Sequence, residues 1–215
     1  MTQARYRDRT AAGSALSAAL RSRRIPGAGE DAVVLGLARG GVPIAAQISA
    51  DLGLALDVLV IRKLGTPGHE ELALGAISES RIWLNEDLVA SAAVSPQVVE
   101  TIVERELAEL RRRTAVYRAG RAAVPVAGRT VILTDDGIAT GATIRVAVLD
   151  VRAAGVRRLV LAVPTAPRSA ATEFAGLTDE FICPHTPDPF LAVGMSYLRF
   201  AQVDDDEVRA ALGVG

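Results

Sequence analysis

The chain has 215 residues, 24 basic against 25 acidic side chains, and a composition that is half apolar with only eight aromatics. That length suits a single domain whose core closes without staples, and a half-apolar chain with a net charge of −1 indicates neither disorder nor a polyanion-binding surface. The lone cysteine, Cys183, excludes an intramolecular disulfide and points to a reducing cytoplasm, while no apolar run approaches the ~20 residues of a membrane span.

Residues 5–24, RYRDRTAAGSALSAALRSRR, set a basic start before an Ala/Ser-rich patch too weakly apolar for a signal segment, and read as a surface helix. AVVLGL (32–37) is a buried strand, a helix follows over about 41–52, and LDVLVI (56–61) is the next strand. RKLGTPGHEELALG (62–75), rich in Gly, Pro and charge, is expected to be a long loop, and AISESRIWLN (76–85) a hairpin. A long helix is expected from Pro96 to about Ala119, with Ser95 as its N-cap and an apolar stripe of Val99, Ile102, Val103, Leu107 and Leu110. Arg111, Arg112 and Arg113 on that helix lie among Glu100, Glu104, Glu106 and Glu109, a salt-bridged face rather than a nucleic-acid patch. TVILTD (130–135) is a third core strand, GATIRVAVLDVRAAG (141–155) a helix closed by Gly155, RRLVLAVPT (157–165) a fourth strand and LTDEFIC (177–183) a candidate fifth. Strands alternating with helices predict an α/β fold with a parallel twisted sheet flanked by helices. No internal repeat or low-complexity linker divides the chain, so 1–215 reads as one domain.

Chemistry concentrates in VILTDDGIATGAT (131–143), where a strand runs into Asp135 and Asp136 and then a loop of small residues that opens a helix. Open α/β sheets bind ligands beyond the carboxyl ends of their strands, and unpaired N–H groups at a helix start suit a phosphate. The two acids would repel that phosphate, so they fit neutral sugar hydroxyls a short way off. Neither a G-x-x-x-x-G-K-[ST] nor a G-x-G-x-x-G pattern is present. Of the 24 basic residues, 23 are Arg and one, Lys63, is Lys. Where Arg replaces Lys throughout, the retained Lys marks a place for a compact, mobile charge rather than a planar fork.

VILTDDGIATGAT resembles, at all 13 positions, the phosphoribosyl-pyrophosphate (PRPP) signature of type I phosphoribosyltransferases. The ARGG (38–41) and RKLG (62–65) segments extend the resemblance over nearly the whole chain, toward the predicted phosphoribosyltransferases of bacteria and archaea. It implies a parallel sheet with flanking helices, a flexible loop that closes during reaction, and a small hood, assigned to about 183–215 with an N-terminal contribution. It implies a 5′-phosphate site at Ala139, Thr140, Gly141, Ala142 and Thr143, and a pyrophosphate site at Arg39, Gly40, Gly41 and Lys63. Asp135 or Asp136 would hold the ribose, and with Lys63 and Arg62 they form the candidate catalytic set. Five of the eight aromatics fall in the last fifth of the chain, so Phe190 or Tyr197 is the candidate for stacking on a base. Mg²⁺ is the implied cofactor, held mostly by pyrophosphate and ribose oxygens with no protein ligand assigned. The implied reaction is transfer of phosphoribosyl from PRPP to a nucleobase-like acceptor. The alternative is a PRPP-binding regulator without turnover, and hydrolysis or transfer to another acceptor also stays open. No nucleic acid or membrane partner is expected, and a homodimer is compatible with the sequence. His69, Glu70 and Glu71 are too close together for a zinc site, and Cys183 with His185 is half of a metal motif.

Overall fold

A computed structural model describes residues 5–26 and 31–214, with Glu70 and Glu71 described by their backbone alone. In chain order, α1 (Arg9–Ser22) precedes a first βαβ unit of β1 (Ala32–Leu37), α2 (Gly41–Leu52) and β2 (Ala55–Leu59). Three further strands follow, β3 (Arg62–Thr66), β4 (His69–Ile77) and β5 (Ile82–Leu84), and then α3 (Glu86–Ser91) and α4 (Pro96–Arg118). The chain re-enters the main sheet with β6 (Thr130–Thr134), α5 (Ala142–Ala153), β7 (Arg158–Ala162), α6 (Ala170–Phe174) and β8 (Glu180–Ile182), and ends its regular structure at α7 (Asp205–Ala211).

The main sheet is parallel throughout, in the order β2-β1-β6-β7-β8. Its central strands are continuous apolar runs because both faces are covered. Odd-numbered residues Val33, Leu35, Val131, Leu133, Leu159 and Leu161 pack with Ile144, Val148 and Val151 of α5. Even-numbered Val34, Ile132 and Val160 pack with Leu16 and Leu20 of α1 and Ile44 and Ile48 of α2. The period of two thus sends each strand's side chains into two separate cores. α1 is therefore a core helix and not the surface helix expected, since Ala12, Leu16 and Leu20 are wholly buried. Strand order reverses between β1 and β6, which makes the gap between their carboxyl ends the topological switch point where such sheets bind ligands.

Segment 62–75 is not a loop. β3, β4 and β5 form an antiparallel sheet, turned at Pro67-Gly68, where Gly68 takes the left-handed φ of 76° that a proline–glycine turn needs. Leu64, Leu74 and Ile77 of this sheet bury against Ile102, Leu110 and Tyr117 of α4, while Ala76 joins the core beneath α5. Burial on both sides outweighs a loop-like composition. α4 matches its expected limits, with Ser95 Oγ accepting from Val98 N–H and Pro96 at its start. Within its basic run Arg112 and Arg113 are salt-bridged as expected, with Nε of each at 2.7 Å from Glu109. Residues 183–201 return across the N-terminal segment: Arg5 and Tyr6 N–H groups donate to Ser196 O, and Leu198 N–H donates to Tyr6 O. Among the described residues no helix is long and apolar enough to cross a membrane.

Candidate active site

A cavity of about 330 Å³ lies at the switch point, lined by Lys63, residues 135–144 and Val193. A larger groove of about 640 Å³ runs between the β3–β4 turn and the α3–α4 junction, but among the described residues its polar side chains are hydroxyls and His69. The smaller cavity holds the converging charge.

Helix capping differs around it. α1, α3, α4 and α7 start on side-chain caps from Asp8, Asn85, Ser95 and Asp204. Of the helices without a side-chain cap, the short α6 starts on Ser169, and α2 and α5 start on Gly40 and Gly141. These two helices follow β1 and β6, the strands that flank the switch point. The first-turn N–H groups of α5 and the positive dipole ends of both helices are left for an anion, whereas in α2 Val42 N–H donates to Arg39 O and Pro43 has no N–H. Gly141 holds φ at 74°, which lets the chain turn from the loop into α5. Ala139 and Thr140 are exposed on that loop, Thr143 is half-buried, and all line the cavity.

Asp135 and Asp136 follow β6. Asp136 Oδ2 accepts from Arg9 Nη2 at 2.7 Å and from Nε at 3.0 Å, and Arg9 Nη1 donates to Ala201 O at 2.7 Å. The Phe200 ring lies 4.1 Å from the guanidinium carbon and stacks on Tyr197 at 4.9 Å. Tyr197 Oη in turn donates to the main-chain O of Asp136 at 2.6 Å. Asp135 Oδ1 accepts from Asp136 N–H at 2.8 Å. Burial and the adjacent Asp136 charge push the Asp135 carboxyl well above its ordinary range. Burial also raises Asp136, with Arg9 pulling in the opposite direction.

The two glycines of the β1–α2 connection are required by contacts within the protein. A Cβ on Gly40 would sit 2.0 Å from Asp136 Oδ2, and one on Gly41 would sit 2.6 Å from Thr134 O. The loop before α2 therefore fits directly under the exit of β6. The Ala38–Arg39 peptide is cis, and Arg39 Nη1 lies 3.8 Å from Asp205 Oδ1 at the start of α7.

Adjacent residues in a strand face opposite ways, and this separates Arg62 from Lys63. Lys63 lines the cavity. Arg62 turns to α4, where its Nη2 and Nε donate to Glu106 Oε2 at 2.6 and 2.9 Å, so it ties β3 to that helix and does not join the acids. The candidate aromatics also stand elsewhere. Tyr197 is 5 % exposed and held between Tyr6, Phe200 and Asp136, so it braces the site and leaves no face for a base. Phe190 is half-buried and does not line the cavity, to which the C-terminal segment contributes Val193. Cys183 Sγ donates to His185 O, and burial pushes its thiol up to about 11, an inert group. Arg9 is the residue that sequence reasoning missed. Its one local signal is a cation in the first turn of a helix, where the macrodipole disfavours it.

Among the described residues no group of three or more His, Cys, Asp and Glu side chains comes together. The carboxylates on the cavity are Asp135 and Asp136. Such a pair fits Mg²⁺, which takes one or two carboxylates and completes its shell with phosphate oxygens and water.

The model of the phosphoribosyl transferase domain matches residues 8–175. A Mycobacterium tuberculosis protein (strain H37Rv) described as a "putative phosphoribosyl transferase" is 46% identical over 185 residues, which is 86% of this chain and 42% of that protein. Its counterpart in strain CDC 1551 matches to the same extent. The chain thus spans about two-fifths of the length of these curated relatives. The crystal structure of TT1426 from Thermus thermophilus is similar over 97% of both chains, with 39% identity and a TM-score of 0.78.

Proposed function

This chain belongs to the type I phosphoribosyltransferase family, and from that premise we propose that it transfers the phosphoribosyl group of PRPP to a nitrogen of a nucleobase-like acceptor, with Mg²⁺ and with release of pyrophosphate. One observation carries the reading: the uncapped start of α5, the two acids and Lys63 border a single cavity at the switch point.

The 5′-phosphate takes the N–H groups and hydroxyls of residues 139–143, where the helix dipole favours a dianion. Asp135 and Asp136 accept from the ribose hydroxyls, and their negative charge steadies the positive charge that grows at C1 as its bond to pyrophosphate breaks. Lys63 and the uncapped start of α2, with Arg39, Gly40 and Gly41, receive the departing pyrophosphate. Asp135 and Asp136 would hold Mg²⁺ together with ligand oxygens, and there it would supply positive charge against the pyrophosphate. The acceptor nitrogen then forms the new bond to C1. Positioning and charge stabilisation make up the protein's share of this chemistry.

The test is pyrophosphate release from PRPP and Mg²⁺, measured with and without a pool of purines and pyrimidines. Release that depends on the pool supports transfer, and dividing the pool names the acceptor. Tight PRPP binding with no base-dependent release would overturn the transferase reading in favour of a PRPP-binding regulator.

A further inference from the structure

Arg9 and Asp136 stand 127 residues apart in sequence, and their contact is mostly closed to water, with side chains 12% and 16% exposed. Every contact described for the Arg9 head group runs to the site: Nε and Nη2 to Asp136 Oδ2, Nη1 to Ala201 O, and its plane to the ring of Phe200. Asp136 is gripped at a second point, its main-chain carbonyl, by Tyr197. The floor is Gly40, whose missing side chain makes room for the carboxylate. The planar guanidinium fork on Asp136 fixes the rotamer of its carboxylate.

We propose that Arg9 is a positioning residue for the ribose subsite, committing Asp136 Oδ2 to the protein so that Oδ1 is presented in a fixed orientation to the ribose hydroxyls of PRPP. The role rests on the functional reading above. It assigns the first helix a part in the site, although the acids of the motif follow β6 and Asp136 lies 127 residues further along the chain.

Without Arg9, Asp136 keeps the anchor of Tyr197 on its main-chain carbonyl but loses the fork that fixes its carboxylate, and ribose affinity falls with it.

Calorimetric titration with PRPP in Mg²⁺ and with inorganic pyrophosphate without added metal tests this, and the ratio of variant to wild-type affinity is the readout. For Arg9→Met the PRPP ratio is expected to fall about tenfold or more, while the pyrophosphate ratio stays near one. Arg9→Lys keeps the charge and loses the fork, so it should bind PRPP with intermediate affinity. It also carries the comparison if Arg9→Met does not fold. A PRPP ratio near one for both variants overturns the proposal, and so does an equal loss for pyrophosphate, which would mark a purely structural role. A wild-type protein that ignores PRPP overturns the functional reading and this role together.

Discussion

Replacing Gly40 by alanine adds one methyl group at the most constrained point of the site. The new Cβ would lie 2.0 Å from Asp136 Oδ2 and 2.6 Å from its Cγ. Reaching an ordinary contact requires a separation of about 1 Å or more. The carboxylate cannot swing clear cheaply, because Arg9 holds Oδ2 at 2.7 and 3.0 Å and Tyr197 holds the carbonyl of the same residue. The shift therefore breaks the charge-assisted contact, about 1.5–3 kcal/mol, with overpacking of similar size on top. Partial relaxation brings the expected loss of stability to about 2–4 kcal/mol, a fall in Tm of about 5–15 °C for a domain of this length. PRPP affinity should drop about tenfold or more, since every 1.4 kcal/mol is a factor of ten. Thermal denaturation and calorimetry with PRPP measure both, with Gly176→Ala as control, because a Cβ there meets nothing within 4 Å. Wild-type melting together with wild-type PRPP affinity would refute the steric reasoning. Loss of pyrophosphate binding at unchanged Tm would show that Gly40 serves ligand approach rather than the seat of Asp136.

Lys63→Arg keeps a charge on the cavity but exchanges a point donor for a fork; turnover is expected to fall about tenfold with less change in PRPP binding, and an unaltered rate in steady-state kinetics would reduce the lone lysine to codon usage. Arg62→Met leaves buried Glu106 with Arg105 at 3.0 Å as its remaining partner; urea denaturation should show a loss of about 1–3 kcal/mol with PRPP affinity unchanged, and a parallel loss of affinity would return Arg62 to the site. Asp135 is held above its ordinary 3.8, so ionising it opposes folding as pH rises past that value. Asp135→Asn should accordingly stabilise the fold at neutral pH, with the gain disappearing below about pH 4; a gain independent of pH in thermal melts would contradict this origin.

The parallel sheet was legible because its strands are short β-branched runs buried on both faces, and the 131–143 motif was legible because its acids and small residues are contiguous. Segment 62–75 misled for a physical reason. Its Gly, Pro and charges read as loop, whereas Leu64 and Leu74 are buried by α4, an element some 30 residues further on. The Pro67-Gly68 pair was itself the sign of a hairpin turn. α7 went unread although Asp204 and Glu207 form a capping box at its start. Arg62 beside Lys63 could have been separated by strand alternation once that segment was recognised as a strand. Tyr197 could not, because an aromatic ring near a site looks the same in a sequence whether it touches ligand or braces a carboxylate. Arg9 was the least accessible, since its partner lies 127 positions away and only its unfavourable place in the helix dipole hinted at a distant tie.

The brace of Tyr197, Phe200 and Ala201 also sets when the site comes into being during synthesis. A nascent chain that has emerged as far as α5 already carries both acids, the phosphate loop and Arg9. It still lacks the ring beneath the guanidinium, the carbonyl that accepts from Nη1 and the hydroxyl that holds Asp136 in place. Ligand competence is thus gained late, with residues 197–201, and a ribosome-stalled series should show PRPP protection beginning only beyond that point.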